Sequence, residues 1–152
     1  MILFALLPKD RRQVGVLEVR NGDSLIESMP VLGLADSAMA KQKGNPTRNP
    51  ERCYGDTPTG VWKVHVSIIM RDEHAFGPHR VLLLSPISGQ AYKSYLAPAR
   101  RSGILIHGGA PGAGGILRPT YGCLRVSNNH MARLHELIAQ HGPIETLETK
   151  EV

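Results

Sequence analysis

The sequence is poor in cysteine and in aromatic residues, and these shortages exclude several classes of protein. Only two cysteines, Cys53 and Cys123, occur among the 152 residues, and no Cys-x-x-Cys pair is present. A disulfide framework and a zinc ribbon are therefore not indicated. One Trp, four Tyr and two Phe offer little for base stacking, and the basic residues are scattered, so the net charge of +5 does not predict nucleic-acid binding. The charge favours anionic partners of another kind.

Long hydrophobic runs are also missing. The apolar run nearest the N-terminus covers residues 2–7 and ends at Pro8, whereas a membrane-spanning helix needs about 20 apolar residues. No basic segment precedes this run and no small-residue cleavage site follows it, so the sequence as written carries no export signal. His130 and His135 are five positions apart and no His-Glu-x-x-His motif occurs. We therefore expect neither a metal site nor another cofactor.

Short apolar segments, separated by Gly, Pro and polar residues, predict a mainly β fold, either a sandwich or a barrel. Residues 62–70 alternate between apolar and polar side chains, which predicts a strand with its even-numbered residues buried. Asn21 and Gly22 form a dipeptide that is typical of two-residue hairpin turns. The predicted strands are 2–7, 14–19, 25–32, 62–70, 81–84 and 104–106.

One helix is predicted in the C-terminal half of the chain, at about residues 128–140. Ser127 or Asn128 can cap its start, and Gly142 and Pro143 can end it. A polar loop covers residues 33–58, and a loop of this length is typically either functional or poorly ordered. Because the composition shows no break, we expect residues 1–152 to form one domain.

A histidine, a cysteine and an arginine lie between the last predicted strand and the helix. Cys123 can supply a thiolate nucleophile, and His107 can supply the base that removes the thiol proton. Arg125 offers a planar guanidinium for a substrate carboxylate. Gly122 lacks a Cβ, so the backbone can aim an N–H group, its own or that of Cys123, at the oxyanion of a tetrahedral intermediate. The combination indicates a cysteine-dependent acyltransferase.

The same segment resembles the L,D-transpeptidases of the YkuD type, which act on bacterial cell walls. Their signature is a histidine followed by Gly or Ser and, further along, by Ser or Thr, a variable residue, Gly, Cys, an aliphatic residue and Arg or Asn. Residues 107–108 (HG) and 120–125 (TYGCLR) match it, with fifteen residues between the histidine and the cysteine. Residues 55–62 (GDTPTGVW) resemble the Thr-Pro-x-Gly segment of that family. The resemblance covers nearly the whole chain and implies the mainly β catalytic fold of the family.

The resemblance also implies an activity. Cys123 would attack the carbonyl that joins a diamino acid, the third residue of a peptidoglycan stem, to the D-alanine that follows it. D-Alanine would leave and a thioacyl-enzyme would remain. An amine of another stem would then give a 3→3 crosslink, water would give L,D-carboxypeptidase activity, and a free D-amino acid would give exchange. The implied partners are peptidoglycan stem peptides, and the implied place of action is the periplasm or cell envelope.

Carried over to this sequence, the catalytic residues of the family are Cys123 and His107. The carbonyl of Gly108 is expected to hold the second ring nitrogen of His107. Tyr121 stands where many members carry a second histidine, and Cys53 lies outside the motif and is expected to be structural or incidental. Backbone groups of Gly122, Tyr121 and Gly108 are expected around the oxyanion, and Arg125, Thr120, Gly109 and Tyr92 are expected to bind substrate.

Other interpretations of the same residues stay open. Without an export signal, either a leader has been removed from this sequence or the protein leaves the cell by a signal-independent route. An antibacterial effector of a type VI secretion system would use the same chemistry on a rival's wall, with the secretion apparatus and an immunity protein as partners. A sortase-like cysteine transpeptidase and an inactive wall-binding domain are further alternatives. The short spacing disfavours the sortases, and the intact His107 and Cys123 disfavour a binding domain without turnover.

Overall fold

The structure, a computed structural model, describes residues 1–152 and contains one eight-stranded sheet and four α-helices. The strands are β1 (Ile2–Leu7), β2 (Gly15–Asn21), β3 (Ser24–Val31), β4 (Gly60–Ile69), β5 (Arg80–Ser88), β6 (Leu105–His107), β7 (Leu124–Arg125) and β8 (Thr146–Glu151). The helices are α1 (Ser37–Gln42), α2 (Glu73–Phe76), α3 (Gly89–Tyr95) and α4 (Asn128–His141). The strand order in the sheet is β3-β2-β1-β8-β4-β5-β6-β7. β1 is parallel to β8 and β6 is parallel to β7, whereas the other neighbouring pairs are antiparallel.

The two ends of the sheet meet, so the sheet is nearly closed into a barrel. Leu32, directly after β3, donates its N–H to the Arg125 carbonyl at 2.9 Å and accepts the Arg125 N–H at 3.0 Å. A second bridge joins Ala35 to Thr120. These contacts pair backbone groups that an open sheet would leave exposed at its edges. The predicted mainly β fold is confirmed, and the closure holds residues 120–125 against the chain that follows β3.

Helix α4 is the one long helix and confirms the helix predicted at about residues 128–140; it packs on the barrel core. Ser127 caps it, because its Oγ accepts a hydrogen bond from the His130 N–H at 3.1 Å. None of the four helices has the length and apolar character needed to cross a membrane. Side chains on successive turns of one face are fully buried in the same cluster as Trp62 and Ile106: Met131, Leu134 and Leu137.

The hairpin between β2 and β3 is displaced by one residue from its prediction. Gly22 and Asp23 form the turn, and Asn21 still pairs with Ser24 in the sheet. Gly22 has φ +60°, and Asn21 keeps the negative φ of a strand. The glycine therefore takes the conformation that the turn demands, and the asparagine continues the strand.

The prediction for β4 holds for only its first half. Trp62 and Val64 are buried as expected, but Ile68 is 62% exposed. The second half of the strand extends past the core, and Ile68 and Met70 line a cleft instead. These two apolar side chains therefore form part of the cleft surface and not of the core.

The polar segment 33–58 is held in place by buried polar groups. It contains α1, and it buries Asn45, Asp56 and Thr57. The Asp56 carboxylate accepts the Ala35 N–H at 2.8 Å and the Arg48 Nε–H at 3.2 Å. Because each buried polar side chain finds partners, the segment is an ordered part of the fold rather than a loose connection.

Candidate active site

A cleft of about 870 Å³ brings together the three side chains of the sequence motif: His107, Cys123 and Arg125 all line it. Two acidic residues, Asp36 and Asp72, also face it. The rest of its lining includes an apolar set (Ile68, Met70, Phe76 and Val81) and a further basic set (Arg100, Arg101 and Arg118). Positive charge therefore exceeds negative charge in the cleft, which suits an anionic ligand with apolar parts.

Cys123 lies in a tight turn directly before β7. Its Sγ accepts a hydrogen bond from the Leu105 N–H at 3.3 Å. The preceding Gly122 has φ +117°, a conformation that L side chains rarely adopt. A Cβ at this position would also collide with the Arg101 guanidinium and the Gly55 carbonyl. Glycine before the cysteine is therefore required both by the backbone conformation and by the available space.

Two buried threonine hydroxyls hold this turn. Thr120 Oγ1 accepts the Gly122 N–H at 3.0 Å and donates to the Cys123 carbonyl at 3.0 Å. Thr57 Oγ1 donates to the Gly122 carbonyl at 2.7 Å. Thr57 belongs to the segment 55–62 that the sequence analysis singled out. The two sequence motifs are therefore in direct contact, and one supports the turn that carries Cys123 in the other.

His107 ends β6 and is almost completely buried, at 2% exposure. Its Nδ1 lies 2.7 Å from the Gly108 carbonyl oxygen, and a carbonyl only accepts, so Nδ1 carries the proton and Nε2 carries a lone pair. The ring packs against Phe76, with 4.9 Å between ring centroids. The imidazole is thus fixed in orientation and tautomer without a carboxylate partner.

Burial keeps both members of the Cys–His pair uncharged. It lowers the pKa of His107 to about 4; the bond to Gly108 opposes the shift, and the charge of Arg125 adds to it. Burial also raises the pKa of the Cys123 thiol, against the Leu105 N–H and the charges of Arg101 and Arg125. At rest the cleft therefore holds a thiol and a neutral imidazole whose Nε2 can accept a proton.

The lowered pKa of His107 predicts that the stability of the fold depends on pH. Its pKa is about 4 when folded, against an ordinary value of 6.5, so between these values the unfolded chain binds a proton that the folded chain does not. Stability must therefore fall as the pH falls through this window, and we expect a loss of about 2 kcal/mol between pH 7.5 and pH 5 from this residue alone. Denaturant unfolding of the wild type and of His107→Gln at both pH values measures it. A loss of the same size in the variant would contradict the assignment.

The guanidinium of Arg125 is committed to backbone carbonyls, which differs from the prediction that it grips a substrate carboxylate with two parallel bonds. Nε donates to Arg118 at 2.8 Å, and Nη1 donates to Ala75 at 3.0 Å and to Gly108. Nη2 makes a longer bond of 3.4 Å to Pro119. Only one N–H, on Nη2, stays free, so the guanidinium cannot make two parallel bonds to a carboxylate in the cleft. It instead fixes the Gly108 carbonyl, which orients His107.

Replacing Arg125 by lysine tests this positioning role. We expect acylation to fall about 10–100-fold, because a single ammonium cannot hold the carbonyls that four N–H groups hold now and Gly108 loses one of its two donors. The loss should be the same for a stem peptide with a free terminal carboxylate and for its amide. Single-turnover rates on both peptides measure it, and a loss confined to the free acid would restore the carboxylate-binding role.

The backbone donors available for an oxyanion also differ from the prediction. The Gly122 N–H is occupied by Thr120 Oγ1, so it is not free to stabilise developing charge. The N–H groups of Cys123 and Tyr121 have no acceptor within the protein. The N–H groups of Cys123 and Tyr121 are therefore available to an oxyanion, whereas that of Gly122 is not.

The other predicted site residues, Tyr121, Gly109 and Tyr92, differ in their position relative to the cleft. Tyr121 lines the cleft and packs against Tyr54, with ring centroids 5.8 Å apart. Gly109 is buried outside the cleft lining, and its N–H donates to Asn128 Oδ1 at 2.8 Å. Tyr92 lies on α3, is 43% exposed, and is absent from the cleft. The structure therefore does not bring Tyr92 to the site, and it gives Gly109 a supporting position behind it.

Several residues of the site had no signal in the sequence. Phe76 comes from a segment that carries no motif, and only the folded chain brings it to the cleft. Ser127 is the cap among the two candidates Ser127 and Asn128, and the Asn128 amide oxygen accepts the Gly109 N–H. Cys53 also lines the cleft, with its Sγ 3.2 Å from the Ala99 carbonyl oxygen. No group of three or more His, Cys, Asp or Glu side chains is close enough together to hold a metal ion.

Comparison with known proteins agrees with the motif. The family model of the YkuD L,D-transpeptidase catalytic domain matches residues 10–145, whereas no curated protein sequence matches the chain. Bd1075 of Bdellovibrio bacteriovorus has a similar structure (TM-score 0.57, 15% identity, 98% of this chain and 47% of that one). So does Pgp2, the helical cell shape determining protein of Campylobacter jejuni (TM-score 0.60, 17% identity, 98% and 47%). The chain spans less than half the length of either protein, and at these identities the likeness shows the fold. The match over residues 10–145 shows that the chain belongs to the YkuD family of L,D-transpeptidase catalytic domains.

Proposed function

We propose that residues 1–152 form one catalytic domain that transfers acyl groups of peptidoglycan stem tetrapeptides through Cys123. Family membership supports a peptidoglycan-modifying activity. One observation carries the proposal furthest: His107 and Cys123 line the same cleft, and the bond from Nδ1 to Gly108 leaves Nε2 as the proton acceptor. A thiol with a neutral, oriented imidazole is the pair that cysteine nucleophiles need. Because its substrate is the wall, we place its action in the periplasm or cell envelope.

The reaction follows from these positions. His107 Nε2 takes the proton of the thiol while Sγ attacks the carbonyl that joins the diamino acid to D-alanine. The oxyanion accepts hydrogen bonds from the free N–H groups of Cys123 and Tyr121. The tetrahedral intermediate then breaks its C–N bond, the imidazolium returns its proton to the departing amine, and a thioester remains on Sγ. A second amine or water then gives a proton to His107 Nε2 as it attacks the thioester carbonyl, the C–S bond breaks, and the proton passes to Sγ, which frees the enzyme.

The charges of the cleft fit the substrate. A tetrapeptide stem ends in a carboxylate, and its diamino acid can carry another. Arg100 is exposed at the cleft and its side chain makes no hydrogen bond within the protein. Arg118 uses Nε and Nη2 on the carbonyls of Ala110 and His74, at 2.6 and 2.8 Å, which leaves Nη1 free. These two guanidinium groups are better placed than Arg125 to bind a substrate carboxylate.

The experiment is mass spectrometry of the purified protein mixed with a disaccharide-tetrapeptide. We expect a thioacyl adduct on the wild-type protein, release of D-alanine, and a product mixture of tripeptide and 3→3 dimer. The ratio of these two products separates carboxypeptidase from crosslinking activity, and added D-amino acid tests exchange. A protein that forms neither adduct nor product with this peptide, and none with its crosslinked dimer, would overturn the proposal.

A further inference from the structure

Arg101 is a buried cation without an acidic partner. It precedes β6 and is 5% exposed. Its Nη1 donates to the carbonyls of Pro50 at 2.6 Å and Asp56 at 3.0 Å, and its Nη2 donates to Gly55 at 3.0 Å and, at 3.4 Å, to Tyr121. Every acceptor is a main-chain carbonyl, so no salt bridge neutralises the charge. Burial of an uncompensated charge is costly, which points to a use for the charge at this place.

The carboxylate of Asp56, the residue whose carbonyl Arg101 binds, forms hydrogen bonds to other groups. Arg101 binds the carbonyl of Asp56, but the carboxylate of Asp56 accepts hydrogen bonds from the Ala35 N–H and from Arg48. Burial raises the pKa of that carboxyl group, against the charge of Arg48. The carboxylate therefore pairs with Ala35 and Arg48, and the Arg101 charge remains available to the cleft.

The guanidinium lies against the nucleophile turn. A Cβ on Gly122 would collide with Arg101 Nη2, so the charge is in contact with the residue directly before Cys123. Arg125 from β7, His107 from β6 and Cys53, which lies near Arg101, line the same cleft as the thiol. The other charged or titratable side chains of that cleft are Asp36, Asp72, Arg100, Arg118, Tyr54 and Tyr121. Arg101 and Arg125 are the two cations whose charges act on the Cys123 thiol, and the imidazole of His107 is neutral. A thiolate on Cys123 would thus face positive charge from two sides.

We infer that Arg101 is a positioning residue of the nucleophile, which ties residues 50–56 to the turn before Cys123 and stabilises the thiolate as it forms. The inference rests on the proposed role of Cys123 as nucleophile and is independent of the acyl donor. It also gives a reason for the glycine before the cysteine, because a larger residue would displace the guanidinium. Burial raises the pKa of the Cys123 thiol, and Arg101 is the cation in contact with its turn that opposes this effect.

The rate of alkylation by iodoacetamide at different pH values tests the charge directly. The protein carries Cys53→Ser, because Cys53 lines the same cleft and would also react. In this background, Arg101→Gln should raise the apparent pKa of Cys123 by about one unit and slow alkylation about tenfold near neutral pH. Arg101→Lys should raise it by about half a unit, because one ammonium cannot occupy both Nη positions.

The matched control is Arg11→Gln. Arg11 is also 5% exposed but does not line the cleft. Its replacement should therefore lower the melting temperature and leave the pH dependence of Cys123 alkylation unchanged. A purely structural Arg101 would behave in the same way. Folded Arg101→Gln with an unchanged curve would overturn the inference. If that variant fails to fold, an unchanged curve for Arg101→Lys would do so. Alkylation needs no peptidoglycan, so a failed search for D-alanine release would refute the proposed function and leave this result intact.

Discussion

Replacing Cys123 by alanine is expected to abolish the release of D-alanine from a disaccharide-tetrapeptide, with a rate at least about 10⁴-fold below that of the wild type. The reason is chemical: no other group at this turn can form the thioester. The measurement is single-turnover D-alanine release together with the intact mass of the protein, which should show no adduct.

The fold should survive this change. The substitution removes one sulfur atom, which accepts a hydrogen bond from the Leu105 N–H and donates to the Gly103 carbonyl at 3.8 Å. The turn keeps its bonds to Thr57 and Thr120. Cys53→Ala is the matched control, since it removes the second thiol of the same cleft and should keep the activity. If Cys123→Ala retained more than about a tenth of the wild-type rate, or if Cys53→Ala lost it, the nucleophile would be misassigned.

The part of this site that could be predicted from sequence is the part that local spacing determines. His107 ends a strand, Cys123 follows a glycine, and the helix begins soon after, so a short stretch of chain carries most of the chemistry. The mainly β fold and helix α4 were predictable for the same reason, because alternation and capping are local patterns. The catalytic roles of these residues remain predictions until the variants are measured.

The contacts that determine what each side chain or N–H group can bind form only in the folded chain, so they could not be predicted from the sequence. An arginine beside a nucleophile suggests a carboxylate ligand, yet Arg125 meets the carbonyls of Ala75 and Gly108, and the first of these comes from α2, far away in the chain. The Gly122 N–H suggests an oxyanion donor, yet Thr120 already accepts it. Which N–H groups are free depends on a complete account of backbone partners, and only the folded structure supplies one.

Apolar alternation was misleading at one strand for a related reason. The sequence predicts a strand with one buried face over residues 62–70, but only the first half of that face meets the core. Ile68 and Met70 carry the same pattern into the cleft. A sequence pattern shows that a face is apolar, and it does not show whether protein or ligand covers that face.

Replacing His107 by glutamine is the second large effect that we expect. The amide keeps a donor for the Gly108 carbonyl but cannot accept the thiol proton, so acylation at neutral pH should fall about 10²–10⁴-fold. His65→Gln is the matched control, because that histidine is exposed on β4 and does not line the cleft. Its rate should equal that of the wild type, and a melting curve confirms that both variants fold.

The pH profile separates loss of a base from loss of structure. Because the pKa of His107 is about 4, wild-type acylation should change little between pH 7 and pH 5 and fall only as the imidazole becomes protonated near pH 4. In His107→Gln the thiol must ionise without help, and burial raises the pKa of Cys123, so the rate should climb about tenfold per pH unit through the neutral range. A variant that is slow but as flat as the wild type would mean that His107 orients the site without accepting the proton. A wild-type rate that already falls between pH 7 and pH 6 would instead mean that the imidazole is not held neutral by its burial.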